Sequence, residues 1–253
     1  MHDDIIQNKI TWDIAAKNFY GGGALPSWGA LMEGTDMPEL IGEIKGKTFL
    51  EIACGSGHSI KYLIENGAEK VYGIDLSEEQ IKFATELNKD AVEGGKVELF
   101  CQPMEQKAPV VSDSVDTVFS IYGIGWTQDL EVTLSNVYSY LKPTGMLIFS
   151  FETQLFARTK LDEKTGQIIL AGSPYEDLKK ARGGWFGSTS ITTTIYRLPS
   201  TWIRACLKAG LQIVDYFEPK PIGPGTGDQN LVDYYSPEKV RQVAPTFIFE
   251  FKK

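Results

Sequence analysis

Thr48-Phe49-Leu50-Glu51-Ile52-Ala53-Cys54-Gly55-Ser56-Gly57-His58, followed by Val71-Tyr72-Gly73-Ile74-Asp75, decides how this chain folds. The first run is apolar and reads as a buried strand that stops at a loop of small residues. A helical pattern follows, because Ile60, Leu63 and Ile64 share one face of residues 59–66. The second apolar run closes on a carboxylate, Asp75, 24 residues after Glu51. Strand, small-residue loop, helix, strand and acid make half of a nucleotide site. The loop lets backbone approach a ligand, and the acid can take both hydroxyls of a ribose.

The unit is Rossmann-like, and its charges say which nucleotide it suits. A dinucleotide site uses three glycines, G-x-G-x-x-G, so that backbone N–H groups and a helix N-terminus can hold a pyrophosphate. Here the positions carry Ala53, Gly55 and Gly57, with Ile60 where the third spacing would need glycine. Glu51, just before the loop, would repel phosphate. S-adenosylmethionine carries an ammonium, a sulfonium and a ribose but no phosphate, and acids at both strand ends suit it. At these residues the chain resembles the class I S-adenosylmethionine-dependent methyltransferases, in the subgroup that acts on small molecules. Their first motif, E/D-x-G-x-G-x-G, runs from Glu51 to Gly57 with one departure, Ala53 for the first glycine. Alanine is a mild change unless a tight approach or a positive φ demands glycine.

Outward from this unit, strands and helices alternate. Ser77 is placed to cap a helix with Glu78 and Glu79 in its first turn, and Ile81, Phe83, Ala84 and Leu87 supply its apolar side. Residues 97–101 and 115–120 read as a third and a fourth strand, and about 130–141 as a helix. Lys142-Pro143-Thr144-Gly145 reads as a turn before a fifth strand over 146–151. Residues 152–194 lose regularity, mixing charges with Pro174, Gly183-Gly184 and the aromatics Tyr175, Trp185 and Phe186. Order returns with a helix over 200–210 stopped by Gly210, a strand over 211–216, and a last strand over 246–251 beyond the glycine- and proline-rich 222–227. Ahead of the first strand, Trp12, Ala15, Ala16 and Phe19 share a helical face that Gly21-Gly22-Gly23 ends. The resemblance covers Trp12 to the end and is weakest over 152–194. It implies an α/β, doubly wound, mostly parallel seven-stranded sheet with an antiparallel last strand. The expected organisation is one methyltransferase domain, 1–253. It comprises an N-terminal helical lid (1–46), a cofactor-binding half (47–151), a substrate-side insertion after the fifth strand (152–194) and a C-terminal half (195–253).

Composition narrows the function classes. Among 253 residues the net charge is −8, which disfavours a nucleic-acid backbone as partner. No apolar stretch approaches the ~20 residues of a membrane span. The acidic start Met1-His2-Asp3-Asp4 lacks the regions of a signal peptide. Cys54, Cys101 and Cys206 are widely spaced and odd in number, which suits reduced, buried thiols in a cytosolic protein. Two histidines and no C-x-x-C pair argue against a metal.

The resemblance assigns roles. Glu51 would hold the methionine ammonium, directly or through water, while Ala53, Gly55 and Gly57 form the backbone cradle and Asp75 takes the ribose hydroxyls. Leu76 and Met104 would flank the adenine; Pro103 stands where the family often has an acid for the amino group. Ser120 and Tyr122, closing the fourth strand, fall where the methyl-bearing end belongs. Tyr20 and Trp28 would come from the lid, an aromatic face suiting a sulfonium. His58 and Tyr122 are the candidates for proton handling, needed only if the acceptor holds a proton. The expected partner is a small molecule met by residues 122–126, the aromatic insertion and Tyr196, in a chain that leaves room for a homodimer. The asparagine-proline-proline-tyrosine type of signature of amino-directed nucleic-acid and protein methyltransferases is absent after the fourth strand. Three other readings stay open: a tRNA, rRNA or protein methyltransferase, a non-catalytic S-adenosylmethionine-binding module, and a nicotinamide-dependent oxidoreductase.

Overall fold

The first strand, β1 (Thr48–Ile52), lies at the centre of the sheet with apolar residues on both faces. Phe49 turns to one face, and Leu50 and Ile52 turn to the other. A strand buried on both sides must be apolar almost throughout, as this one is. The structure is a computed structural model, and it describes residues 3–21, 26–29, 38–162, 164–183, 189–220 and 234–253.

Around β1 the chain builds α1 (Asp3–Ala15), α2 (His58–Glu65), β2 (Lys70–Asp75), α3 (Glu78–Leu87), α4 (Lys89–Glu93), β3 (Val97–Cys101) and β4 (Val115–Ile121). Next come α5 (Leu130–Tyr140), β5 (Leu141–Glu152), α6 (Gln154–Arg158), β6 (Thr159–Leu161), β7 (Ile168–Leu170), β8 (Leu178–Gly183) and β9 (Ile191–Tyr196). The chain finishes with α7 (Pro199–Lys208), β10 (Gln212–Phe217), α8 (Pro237–Val240) and β11 (Thr246–Lys252). Seven strands form one sheet in the order β3-β2-β1-β4-β5-β11-β10. Pairing is parallel from β3 to β5, whereas β11 runs antiparallel to both its neighbours. The order reverses between β1 and β4, and at such a switch point a crevice opens at the carboxyl ends of the strands.

Two apolar layers hold the sheet. On one face Leu50, Val118, Leu147, Phe149 and Phe249 pack with Leu134 and Val137 of α5 and Trp202 of α7. On the other, Phe49, Val71, Phe119 and Ile148 meet Ile60 and Leu63 of α2. Each such side chain contributes about 1.5–3 kcal/mol on burial.

Two expectations change. Lys142–Gly145 does not end before the fifth strand but lies within β5, as a bulge. Val115 pairs with Leu141 and Thr117 with Met146, so the extra residues loop out between two paired ends. Residues 152–194 are also more regular than their composition indicates. β6 with β7, and β8 with β9, form two antiparallel hairpins off the main sheet. Short two-stranded ribbons lack a buried face of their own, so they carry little hydrophobic periodicity. Trp185, Phe186, Gly184, Gly22, Gly23 and 222–227 lie outside the described residues.

Helix α1 crosses the mouth of the crevice and is pinned at two places. Asn8 exchanges two hydrogen bonds with the backbone of Thr193 in β9, at 2.9 and 2.7 Å. Asp13 accepts from the Ser77 hydroxyl at 2.7 Å. It also pairs with Lys9 at 2.8 Å.

Candidate active site

The loop after β1 turns by using the left-handed region of backbone space three times. Ala53, Gly55 and Gly57 have φ of 57°, 51° and 76°. A Cβ on Gly57 would stand 2.8 Å from the Asn88 side chain and 2.9 Å from Ala84, so glycine is required there. Ala53 corrects the expectation of a mild change, because it takes the positive φ that glycine normally supplies. Strain at such a residue is on the order of 1 kcal/mol or more. Its methyl group fits because position 123 is glycine; a Cβ on Gly123 would come within 2.5 Å of it.

This turn carries the Gly55 N–H to the end of β2, where it donates to Asp75 Oδ2 at 2.9 Å. The Ser77 N–H donates to Asp75 Oδ1 at 2.8 Å. Each carboxylate oxygen is thus oriented by one backbone donor and keeps acceptor capacity for a ligand. Burial raises the Asp75 pKa to about 6, although these backbone donors pull it down. Glu51 is 4% exposed, and its Oε2 has no hydrogen-bond partner. Burial holds its carboxyl well above the usual range; Ser59 lowers the pKa and the Asp75 charge raises it. A buried, unpartnered carboxylate oxygen costs folding free energy unless a cation or donor satisfies it.

These groups open onto a cavity of about 400 Å³, a size suited to a small ligand. Glu51, Ala53, Gly55, His58, Asp75, Leu76, Met104 and Tyr122 all line it. Gly57, Ser120, Tyr20 and Trp28 stand outside the lining. Gly57 instead starts α2, and its carbonyl accepts from Asn88 at 3.0 Å. Ser120 donates to the Ile52 carbonyl at 2.7 Å, tying β4 to β1. The Tyr20 ring stacks on Phe83 at 4.6 Å. Trp28 is fully buried in the core, 6.3 Å from Phe119. The same bulk and aromatic character serve core and ligand equally, so residue type cannot separate the two uses.

Other lining residues come from segments expected at the site, but as side chains that were not singled out. Ile5, Asn8 and Trp12 project from α1, and Gln80 and Gln102 from the β2 and β3 ends. Asn8 between Ile5 and Trp12 on one helical face was the available signal: a polar residue inside an apolar stripe. Trp126 closes the wall, edge-on to Trp12 at 5.1 Å. Tyr122, at φ 52°, turns its hydroxyl to Thr246 at 2.6 Å. His58 Nε2 is buried without a hydrogen-bond partner, and burial lowers its pKa, so the imidazole stays neutral. Among the described residues no group of three or more His, Cys, Asp or Glu side chains is placed to hold a metal, and no helix is long and apolar enough to cross a membrane.

Residues 50–149 match the family model described as "Methyltransferase domain". An uncharacterized protein of Haemophilus influenzae is 28% identical over 196 residues, 75% of this chain and 76% of that protein. A tRNA U34 carboxymethyltransferase of Hahella chejuensis is 24% identical over 81% of this chain, which spans 57% of that relative's length. Among solved structures, an S-adenosylmethionine-dependent methyltransferase from Mesorhizobium loti superposes with a TM-score of 0.67 at 21% identity, over 89% of this chain and 99% of that one. The cavity presents one buried carboxylate oxygen without a partner, on Glu51, and a second acid, Asp75, held by two backbone N–H groups. Residues 50–149 thus carry a methyltransferase domain, in a fold shared with solved S-adenosylmethionine-dependent methyltransferases, and the cofactor that goes with it is S-adenosylmethionine.

Proposed function

We propose that the enzyme methylates a small organic acceptor at O, N or C by in-line displacement, as a single cytoplasmic methyltransferase domain. When bound, S-adenosylmethionine supplies an electrophilic methyl on a sulfonium sulfur. Glu51 orients the ammonium, Asp75 holds the ribose, the 53–57 loop packs against the cofactor, and Leu76 and Met104 flank the adenine. The observation that carries the acceptor class is the roof of the cavity: α1, pinned through Asn8 and Asp13, and the turn after it set Ile5, Trp12 and Phe19 over the same space as Tyr122 and Trp126. An apolar, aromatic-walled chamber of about 400 Å³ suits a small molecule. In this reading 1–46 is the lid and 152–194 the substrate-side insertion, whose strand β9 anchors α1 through Thr193.

Holding nucleophile and methyl carbon in line supplies much of the rate, so no covalent intermediate is needed. For an acceptor that must lose a proton, His58 is the better base by chemistry, being neutral and unpartnered at Nε2. Tyr122 is the better placed, but its hydroxyl is engaged by Thr246. A tRNA acceptor is a second reading, drawn from the name of the Hahella relative; the net charge of −8 weighs against it. Incubation with methyl-labelled S-adenosylmethionine and panels of phenols, amines, carbon acids and bulk tRNA tests the proposal. Label transferred to a small molecule supports it, and label on tRNA alone overturns it.

A further inference from the structure

The carboxyl end of β5 carries a second buried acid, Glu152, 3% exposed. Tyr234 and Tyr235 donate their hydroxyls to its two oxygens at 2.6 and 2.7 Å. The Arg182 guanidinium stands 3.5 Å from Oε1 and donates to the Tyr234 hydroxyl at 2.6 Å. Glu152 is therefore satisfied within the fold.

Among the described residues, the cations around it outnumber it. Lys180 and Arg182 of β8 and Lys239 of α8 repel one another across the same space, and Glu152 is the one carboxylate among the described residues that acts on all three. Lys239 is 3% exposed. Its Nζ lies 3.6 Å from the ring centre of Phe156 and 4.3 Å from that of Tyr234, and no oxygen of a described residue accepts from it. Ring faces replace only part of an ammonium's lost hydration, and burial pulls its pKa down to about 8. The cluster lies behind the aromatic wall of the cofactor cavity and is no part of its lining. Tyr122, which lines that cavity, sits 5.9 Å from Phe151; Phe151 is 5.9 Å from Tyr196, and Arg182 lies over the Tyr196 ring at 5.3 Å.

We propose that Lys239, with Lys180 and Arg182, is a subsite for an anionic group, carboxylate or phosphate, on the methyl acceptor. This rests on the small-molecule reading and narrows it to organic anions. Lys239 makes the direct contact, Lys180 adds charge, and Glu152 with Tyr234 holds the Arg182 guanidinium in place. Among the described residues, an anion here meets more positive than negative charge, in a protein that is acidic overall.

The test uses the full chain, alone and loaded with S-adenosylhomocysteine, with benzoate and inorganic phosphate as probes. Trace acetylation with acetic anhydride is read by mass spectrometry at Lys239 and, as controls, at the exposed Lys61 and Lys89; calorimetry follows each probe. At least one probe should protect Lys239 saturably and leave the controls unchanged. Protection by benzoate alone identifies a carboxylate subsite, and by phosphate alone a phosphate subsite. Lys239→Met should weaken that probe about tenfold or more, the scale of one charge-assisted hydrogen bond. Lys239→Arg should retain it. In both variants S-adenosylhomocysteine affinity should stay within about twofold, since distant sites act independently. No protection and no saturable heat with either probe, or unchanged probe affinity in Lys239→Met, would overturn the subsite. Loss of S-adenosylhomocysteine binding in the unaltered protein would count against the cofactor site instead, and the anion result would still be read on the protein alone.

Discussion

Glu51 and Glu152 occupy matching places, each at or near the carboxyl end of a strand in the same sheet and each almost wholly buried. Their surroundings are opposite. Glu51 keeps an oxygen with no partner, with another carboxylate, Asp75, as its neighbour. Glu152 has two tyrosine hydroxyls and a guanidinium on it, within a ring of further cations. The first is an acid left short of partners where a cationic cofactor belongs. The second is a finished structural joint. Burial alone therefore does not distinguish a binding acid from a structural one; the distinguishing feature is whether the fold has already satisfied its oxygens.

Substitutions can break or sharpen that contrast. The largest effect is expected from Glu152→Gln, which removes the buried carboxylate charge that faces Arg182. Removing one partner of such a pair costs about 3–5 kcal/mol. Thermal unfolding should shift down by roughly 6–20 °C, since each kcal/mol moves a chain of this size about 2–4 °C. Asp75→Ala removes the acceptor proposed for both ribose hydroxyls. S-adenosylhomocysteine affinity should fall about 100-fold by calorimetry, two charge-assisted hydrogen bonds being lost. Glu51→Gln should separate the two acids most sharply. It replaces a buried acid that has an oxygen without a partner, so the empty protein should be as stable as before or more so, while cofactor affinity drops about 10-fold.

The pH dependence has a definite sign. Burial raises the folded-state pKa of Asp75 to about 6, and that of Glu51 also lies well above its ordinary value. For acids shifted upward, protonation favours the empty fold, and stability from that source declines as pH rises through the folded pKa. Cofactor binding needs the carboxylates, so affinity should climb with pH from 5 to 7, by up to about tenfold per unit for each proton released. Calorimetry across that range reads it. The smallest effect belongs to Ala53→Gly, which relieves the positive φ but loosens the unfolded chain, leaving stability within about 1 kcal/mol by urea titration.

The two halves were not equally legible from the amino-acid sequence. Glu51, Gly55 and Asp75 stand out because each closes or interrupts an apolar run, and their spacing follows from one βαβ unit. Ala53 shows the limit of such local reading. Its methyl group is tolerated because of Gly123, which lies just past the end of β4 and leaves space for it. Tyr20 and Trp28 show another limit, since an aromatic side chain reads alike whether it meets a ligand, Phe83 or Phe119. Lys142–Gly145 has every residue of a turn and is a bulge because pairing with β4 resumes on both sides. The Glu152 cluster draws Arg182, Tyr234, Tyr235 and Lys239 from separate hairpin and loop segments, and no spacing rule joins them. An acid at the end of the apolar run 146–151 was its one local signal.

The most direct test is calorimetric titration with S-adenosylhomocysteine at pH 7 in two buffers of different ionisation heat, with NAD in parallel. The expected result is saturable binding with net proton release from the buried acids, and no binding of NAD. Binding without proton release would contradict the picture of Glu51 as an acid awaiting a cation. Binding of NAD in place of S-adenosylhomocysteine would contradict the cofactor assignment itself.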